Sequence, residues 1–564
     1  MTKIAIVGAG PAGMVALKEF RDLGYDVTVF EKRSDVGGVW TWTEDADSTT
    51  ALKETKLCNN KYSVRNLIVK LVISADQLKC SLSCPIIHYL KVHQLSYGLS
   101  QSYSRSKLGF PWTVSAPELG SYFRSYAKHF DLYRNIHFNK TVTNLTRDHT
   151  NRRWQITLSD ATSTPLSFDK VVWCTGGFVK PKRLTLPGQE NFKGRILHSS
   201  QARDLSAFKN QNVVVLGIGN TAADVANALV QHGAGKIYFS HRRGAKILRP
   251  SDPKTGVPSD IQLTTSLVPI TWWIQKHCPS VYGWMMDSAV AQNFKENWGM
   301  NKPEWGLAES PSMGDGQHVV VCSQDLVPNI QSGSILSVPG IKALTGPKSV
   351  EFDNGQVAED IDAIILCIGY ADDMEILKEA IEFTPAQGDI PALPNLYMNI
   401  FPPKYAESFA HLSLTHLFAA QIPGRVLAAL ALPQIWAGRS PLPPLPTMTS
   451  WITAHQTWVR GRIAKAGPNG NGYQEVDNGD WSYFLHEAAG TGLYEYVGWG
   501  RRAWGLWWKD KDLYRAISNL PICTYSYKVF DMGKRRPWEG ARQALIDAWR
   551  ELEELKRGGE KKDR

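Results

Sequence analysis

The sequence predicts an α/β protein with two Rossmann-like dinucleotide-binding domains, one inserted in the other, and a helical, aromatic-rich segment at its C-terminal end. The main observation is a pattern that occurs twice, near residues 4–24 and again near 213–232: a short apolar run, a glycine-rich loop and a helix-like stretch. A second observation is a pair of apolar runs that end in small-residue turns, at 171–177 and 363–370. We expect the chain to cross between the domains at these two runs.

Length and composition fit a multidomain globular protein. The chain has 564 residues, 43% hydrophobic and 21% charged, which is too many for one core. Its formal net charge is +10, but no arginine stripe with interleaved aromatic residues predicts nucleic-acid binding. The apolar stretch 425–439 contains Pro433 and is shorter than the roughly 20 residues that span a bilayer. Since no CxxC pair or zinc-type spacing occurs either, we expect a cytoplasmic protein without a metal site or a transmembrane segment.

The first glycine loop predicts an FAD site. It follows an apolar strand pattern, and its glycines have the spacing of a dinucleotide fold. Gly8 permits the tight turn, Gly10 lets backbone N–H groups approach a pyrophosphate, and Gly13 lets helix and strand pack closely. The next strand pattern, 27–30, ends at Glu31, whose carboxylate can accept hydrogen bonds from ribose hydroxyls. An acid at this position favours FAD or NAD over NADP.

A second tight turn follows this unit. Gly37 and Gly38 stand just before Trp40. A close backbone beside an aromatic ring is expected where a chain passes a flavin, because glycine leaves room for the approach. We therefore predict that Gly38 and Trp40 contact FAD.

The second glycine loop predicts an NADPH site. An apolar strand pattern leads into Gly217 and Gly219, and a helix pattern follows. The next strand ends in basic residues, Arg242 and Arg243, where the first unit has Glu31. Guanidinium groups suit a 2′-phosphate, although a basic turn that simply meets solvent is the alternative. The residues predicted to contact NADPH are Gly217, Gly219, Asn220, Thr221, Ala222, Arg242 and Arg243.

The two crossings divide the chain into domains. Between them lies about one Rossmann-sized domain, and the pieces on either side must combine into the other domain. The predicted organisation is an FAD-binding domain in two parts (1–180 and 367–447), an inserted NADPH-binding domain (181–366) and a C-terminal helical segment with a basic tail (448–564).

A third motif gives a family resemblance. Residues 192–200, FKGRILHSS, lie between the first crossing and the second loop. With the two loops they resemble the FxGxxxHS signature of flavin-containing monooxygenases, class B enzymes that include Baeyer–Villiger relatives. The resemblance extends to about Pro444 and places Gln434 at the flavin. The signature usually ends with an aromatic residue four positions after the histidine, often tryptophan in Baeyer–Villiger enzymes, and here that position is Ala202.

The resemblance implies a reaction and its cofactors, FAD and NADPH. NADPH reduces FAD, O₂ adds at flavin C4a to give a C4a-(hydro)peroxyflavin, and a nucleophilic nitrogen or sulfur centre of a small molecule is oxygenated. Similarity to fungal biosynthetic members makes a secondary metabolite the expected substrate. Two alternatives stay open: a Baeyer–Villiger monooxygenase, and a nucleotide-binding protein whose damaged site does not turn over. The oligomeric state is left open as well.

Three residues are candidates for the reacting site. An asparagine near flavin N5 is frequent in the family, and Asn59 is the first candidate and Asn60 the second. A turn-forming asparagine pair is the alternative. His198 is expected to act in cofactor motion or to satisfy backbone groups of the linker, and not as an acid–base catalyst.

The C-terminal segment is rich in aromatic residues. They are Trp481, Tyr494, Tyr496, Trp499, Trp504, Trp507 and Trp508, ahead of an amphipathic helix predicted from about 539 to 555. We expect most of these side chains to pack the segment over the core. The alternative is that some of them line a pocket for a bulky substrate.

Residues 64–108 depart from the family pattern. In relatives, the counterpart of Asn60 runs within a few residues into the counterpart of Phe110. The intervening stretch here has one acidic residue, no tryptophan and no sustained helical or alternating periodicity. Val64-Arg65 can be encoded by GTAAGA, which matches a splice-donor consensus. We therefore interpret the stretch as a translated intron, with a substrate-gating loop and a membrane-touching basic hairpin as the alternatives.

Overall fold

The chain forms two parallel sheets, several small sheets and a set of helices. The computed structural model describes residues 1–41, 116–160, 164–177, 180–251, 263–314, 320–371, 374–388, 390–415, 421–466 and 474–560. The strands are β1 (Lys3–Val7), β2 (Asp26–Phe30), β3 (Ile136–His137), β4 (Val142–Asp148), β5 (Arg153–Leu158), β6 (Leu166–Phe168), β7 (Lys170–Trp173), β8 (Lys180–Pro181), β9 (Arg195–His198), β10 (Asn212–Leu216), β11 (Ile237–Ser240), β12 (Lys246–Leu248), β13 (Val320–Cys322), β14 (Leu336–Val338), β15 (Ile341–Gly346), β16 (Ser349–Phe352), β17 (Val357–Ala358), β18 (Ile361–Leu366), β19 (Tyr370–Ala371), β20 (Phe383–Thr384), β21 (Leu393–Pro394) and β22 (Phe409–His411). The α-helices are α1 (Pro11–Asp22), α2 (Ala116–His129), α3 (Asn220–Gln231), α4 (Val268–His277), α5 (Pro279–Trp298), α6 (Leu326–Gln331), α7 (Gln421–Trp436), α8 (Leu445–Ala466), α9 (Asn478–Ala489), α10 (Leu493–Tyr496), α11 (Arg501–Lys509), α12 (Lys511–Asn519) and α13 (Ala541–Glu560).

The two large sheets have the same architecture. The first has the strand order β22-β7-β1-β2-β3 and the second β14-β11-β10-β18-β9, and the strands of each sheet are parallel. All strands of the second sheet come from between β7 and β22 of the first. The predicted insertion of one dinucleotide fold into the other is therefore confirmed.

The two crossings between the folds lie side by side. Strand β8 pairs with β19 in antiparallel orientation, with Pro181 opposite Tyr370. The backbone N–H of Lys182 also donates to the carbonyl of Gly369 at 3.1 Å. The predicted boundaries near 180 and 367 thus flank a short two-stranded connection through which the chain leaves and re-enters the first fold.

The central strands are buried because helices or loops cover both faces of each sheet. Residues 4–6 of β1 and 213–215 of β10 have no exposed surface. Strands of this kind are continuous apolar runs without alternation, which is why the sequence pattern identified them. The core of the first fold also includes α7 and the C-terminal helices, and the Trp481 indole donates to the carbonyl of Met398 at 3.0 Å.

The C-terminal segment is helical, as predicted, but its aromatic side chains divide into two groups. Trp481 is buried, and Tyr496 stacks on Phe530 with 3.9 Å between ring centroids. Trp499, Trp504 and Trp508 are exposed, so the expectation that they pack over the core is wrong for these three. No helix in the described ranges is long and apolar enough to cross a membrane.

Candidate functional site

Two glycines of the first loop are required by the polypeptide itself. Gly8 has φ +102°, and a Cβ there would lie 2.7 Å from the carbonyl oxygen of Cys174. A Cβ on Gly13 would lie 2.0 Å from the carbonyl oxygen of Gly8. The N–H of Gly8 donates to the carbonyl of Phe30 at 2.8 Å, which joins the loop to β2. The tight turn and the close helix–strand contact therefore agree with the prediction.

Gly10 has a different environment. Its backbone is extended, with φ −73° and ψ −176°, a conformation open to any residue. The nearest described atom to a Cβ there is Gly38 Cα, at 3.9 Å. The protein therefore has open space at the N-terminus of α1, where unpaired backbone N–H groups favour an anion. This space fits the pyrophosphate of a dinucleotide.

Glu31 is buried at the carboxyl end of β2, beside this loop. Its Oε2 accepts from the Ala9 N–H at 2.7 Å, and its Oε1 accepts from the Arg33 N–H at 2.9 Å. A carboxylate has about four acceptor sites, so capacity for ribose hydroxyls is left. The Arg33 guanidinium donates to the carbonyl of Gly38. Sequence reasoning missed Arg33, although a cation two residues after the acid was a visible signal.

The turn at residues 37–40 lies against the first loop. The N–H of Gly37 donates to the carbonyl of Ala9 at 3.0 Å, and a Cβ on Gly38 would lie 3.3 Å from Gly10 Cα. Trp40 is half-buried and packs against the first core. The structure thus brings Gly38 next to Gly10, in the arrangement expected for a flavin site.

The second loop repeats the geometry of the first. Gly217 has φ +133°, and a Cβ there would lie 2.4 Å from the carbonyl oxygen of Cys367. Its N–H donates to the carbonyl of Ser240 at 2.9 Å, as Gly8 does to Phe30. A Cβ on Gly219 would meet no atom of the described chain within 4 Å. The second fold therefore has the same open space before its helix.

The three residues after Gly219 differ in their surroundings. Asn220 Oδ1 accepts from the Cys322 N–H at 2.8 Å, so this side chain holds β13 beside the loop. Thr221 is exposed at the start of α3, and Ala222 is fully buried under it. Thr221 is thus accessible to a nucleotide, whereas Asn220, which is also exposed, has its amide oxygen engaged by β13, and Ala222 supports the loop from within the protein.

The strand end of the second fold has no carboxylate. His241 occupies the position of Glu31, and its Nε2 is 2.9 Å from Ser337 Oγ. Arg242 and Asp353 both flank Gly340. Arg243 is half-buried and makes no hydrogen bond or ion pair with the part of the chain that the structure describes. Two arginines at a strand end suit a 2′-phosphate, but the Asp353 carboxylate beside Arg242 opposes an anion there, so Arg243 is the better placed of the two.

His198 contacts the second crossing, 363–370, through Gly369 and Tyr370. It is the last residue of β9, and burial lowers its pKa. The Ser200 N–H donates to Nδ1 at 3.2 Å, so Nδ1 is the acceptor nitrogen of the neutral ring. Nε2 therefore carries the proton and donates to the carbonyl of Gly369 at 3.0 Å. Both ring nitrogens are used within the protein, which supports the linker role and not acid–base catalysis.

The structure does not bring Gln434 to the first loop. Trp436, two residues later, packs on Phe20 near the C-terminal end of α1, with ring centroids 5.5 Å apart. At the other end of α7, Arg425 donates to the carbonyl of Leu412 at 3.1 Å, and the Leu412 N–H donates to the carbonyl of Trp173 at the end of β7. Helices α1 and α7 therefore run parallel, and Gln434 lies at the end away from Gly8. Its predicted contact with the flavin stays a prediction. Arg425 lies near the N-terminal end of α7, and the sequence interpretation did not identify it as a site residue. A single arginine within an apolar run was the signal that could have identified it.

The remaining catalytic candidates cannot be placed in this geometry. Asn59 and Asn60 lie outside the described residues, and so does the stretch 64–108 with its intron interpretation. Their roles remain predictions from the sequence.

Two nested dinucleotide folds with open space at both glycine loops define a flavoprotein with a second nucleotide site. Residues 105–560 match the flavin-binding monooxygenase-like family, and residues 6–55 match the NAD(P)-binding Rossmann-like domain. The chain belongs to the flavin-binding monooxygenase-like family. It is a flavin-dependent monooxygenase, and its cofactors are FAD and NADPH. The interval between the two matches, 56–104, overlaps the atypical stretch 64–108.

Individual relatives extend over most of the chain. Monooxygenase aurF of Gibberella zeae is 28% identical over 555 residues, covering 96% of each protein. Dimethylaniline monooxygenase (N-oxide-forming) 2 of Oryctolagus cuniculus is 26% identical over 555 residues, covering 96% of this chain and 91% of that protein. The structure of S-allyl-L-cysteine S-oxygenase from Allium sativum has the same fold, with a TM-score of 0.53, 17% identity and 98% of both chains covered.

Proposed function

We propose that this monooxygenase oxygenates a nucleophilic nitrogen or sulfur centre of a small organic molecule, a secondary metabolite. The names of two relatives support this reaction type, since one is N-oxide-forming and the other is an S-oxygenase. FAD, when bound, would supply the activation of O₂ at its C4a position, with electrons from NADPH. The protein supplies binding, orientation and the exclusion of water.

The observation that carries the choice of reaction is Ala202. It stands four residues after His198, where Baeyer–Villiger relatives usually have tryptophan, and it is buried in the core of the second fold. An indole would need far more space than the methyl group that packs there. The second fold is therefore built without the aromatic side chain of the Baeyer–Villiger branch.

The remaining roles follow from the two loops. We propose that the N–H groups after Gly10 and Gly219 bind the two pyrophosphates, because those sites have open space before a helix. Glu31 would accept hydrogen bonds from the ribose of FAD, and Arg243 would bind the 2′-phosphate of NADPH. Asn59, with Asn60 as the second candidate, would donate a hydrogen bond near flavin N5.

One experiment separates this function from its alternatives. The purified protein is reduced by NADPH without oxygen, oxygen is admitted, and products are analysed with an amine, a sulfide and a ketone. We expect flavin reduction by NADPH and an N-oxide or sulfoxide product, with the ketone unchanged. An ester from the ketone would identify a Baeyer–Villiger enzyme. Absence of flavin reduction, in both the full chain and a variant lacking 64–108, would identify a nucleotide-binding protein without turnover.

A further inference from the structure

The helix α11 and the turn before it carry a group of exposed tryptophans. Trp499 is 84% exposed, Trp504 52% and Trp508 77%. Their rings form a chain with Trp507, with centroid distances of 6.2 Å from Trp499 to Trp504 and 5.8 Å from Trp504 to Trp507. Large aromatic side chains are normally buried, so a cluster of this kind on a surface marks an interaction site.

The helix is held on the protein by its other side. Ala503 is buried, and Leu506, three residues later, packs against the first core. Trp504 and Trp508 are separated by one turn and share a side that does not pack on this core. The outward position of the indoles is therefore set by the docking of Ala503 and Leu506.

Basic residues surround the exposed rings. Arg501, Arg502, Lys509 and Lys511 lie within or next to α11. The one carboxylate in this stretch, Asp510, is bound by Arg542, with Oδ2 2.6 Å from Nε. Glu495, which precedes the stretch, is paired with Arg502 at 2.6 Å. Asp512, after Lys511, is a third acid and is exposed. Five cations, the four above and Arg542, still outnumber the three acids, so the surface presents indoles with a net positive charge.

We propose that α11 docks on the surface of a lipid bilayer with anionic headgroups. Tryptophan concentrates at membrane–water interfaces, where the ring is apolar and its N–H meets the headgroups. Cations beside it attract acidic lipids. The pattern is that of a helix lying in the interface plane, which requires no spanning segment. The helix pair α4 and α5 also exposes two tryptophans, Trp273 and Trp284. Between 267 and 286, however, the basic side chains are Lys276 and His277 alone, and Lys276 is paired with Asp480. This second surface therefore lacks the positive charge that surrounds the tryptophans of α11.

The test uses the full-length flavoprotein in a flotation assay with two kinds of vesicle, phosphatidylcholine alone and phosphatidylcholine mixed with phosphatidylserine. We expect the protein to float with the mixed vesicles, and added salt to weaken binding. The Trp504→Ala/Trp508→Ala variant should bind at least about tenfold more weakly. Arg501→Glu/Lys509→Glu should lose the preference for phosphatidylserine.

The matched control is Trp273→Ala/Trp284→Ala, which removes two indoles that are 59% and 70% exposed. It should bind the vesicles as the unmodified protein does, and all variants should retain their flavin and their unfolding temperature. A protein that floats with neither vesicle overturns the proposal, and so does equal weakening by the two tryptophan pairs. Self-association that only Trp504→Ala/Trp508→Ala abolishes, without vesicle binding, would show that this surface joins two copies of the chain.

Discussion

Gly10 and Gly13 lie three residues apart in the first loop, and the structure predicts opposite consequences when each is replaced. Gly10→Val adds a side chain in extended backbone, into space where the nearest described atom is 3.9 Å from the new Cβ. Gly13→Ala adds a methyl group 2.0 Å from the carbonyl oxygen of Gly8, so α1 must move away from β1. The first change should affect FAD binding, and the second should affect folding.

The magnitudes follow from these distances. Gly10→Val should lower the free energy of unfolding of the apoprotein by about 1 kcal/mol, because valine is a poorer N-cap than glycine. Loss of about two charge-assisted hydrogen bonds to the pyrophosphate, roughly 1.5–3 kcal/mol each, should weaken FAD at least about 100-fold. At a free FAD concentration of about 1,000 times the Kd of the unmodified protein, binding stabilises the unmodified protein by about 4.1 kcal/mol. At the same FAD concentration, a variant that binds about 100-fold more weakly is stabilised by about 1.4 kcal/mol. Gly13→Ala should instead destabilise the apoprotein by about 3 kcal/mol or more.

The assay measures urea unfolding of both apoproteins and the flavin absorbance that stays with the purified variants. We expect a folded, colourless Gly10→Val protein and a poorly folded Gly13→Ala protein. A yellow Gly10→Val variant with one FAD per chain would refute the reasoning about the open space. An apoprotein unfolded by Gly10→Val would show that this glycine serves the fold.

Three further predictions concern other parts of the molecule. Arg243→Ala should weaken NADPH about tenfold or more and spare NADH, with a smaller effect for Arg242→Ala, and equal losses for both nucleotides in a binding titration would contradict the 2′-phosphate site. Burial lowers the pKa of His411 and His486 to about 3 each. Below pH about 6.5 the unfolded chain binds protons at these histidines that the folded chain does not bind. The free energy of unfolding should therefore fall by about 1.4 kcal/mol per pH unit for each histidine as the pH is lowered. His486→Gln should remove one such contribution, as measured by unfolding curves between pH about 6 and 4. Sequencing of the mature transcript should show message without the codons for 64–108, and a protein lacking 64–108 should keep its activity; uniform retention of the segment, or loss of activity on deletion, would defeat the intron hypothesis.

The loops could be predicted from the sequence because their structure depends on neighbours in the chain. A strand, a glycine with positive φ and a helix follow each other within about twenty residues, and backbone sterics allow few other residues at Gly8 or Gly217. The predicted strand 27–30 is Asp26–Phe30, and the helix predicted to about 232 ends at Gln231. The insertion was predictable for the same reason, since each crossing is an apolar run with its own turn.

The position of Gln434 could not be predicted in this way. Which end of α7 lies beside the loop depends on the direction in which two apolar helices pack, and an apolar run is compatible with both directions. The exposure of Trp504 and Trp508 has a similar cause, because the sequence shows many tryptophans but not the limited core surface available to them. The surroundings of Asn59 stay a prediction.

The parallel packing of α1 and α7 has an electrostatic consequence. Each helix has a macrodipole with its positive end at the N-terminus, and two parallel macrodipoles side by side repel each other. The N-terminus of α7 lies toward the same end of α1 as the first loop, and Arg425 near this end donates to the carbonyls of Leu412 and Thr415. The Glu31 carboxylate, which accepts from the Ala9 N–H, offsets part of this repulsion, and we expect the pyrophosphate of FAD to offset more of it. Phosphate should then stabilise the apoprotein against heat more than chloride at equal ionic strength, and equal unfolding temperatures in the two salts would contradict this view.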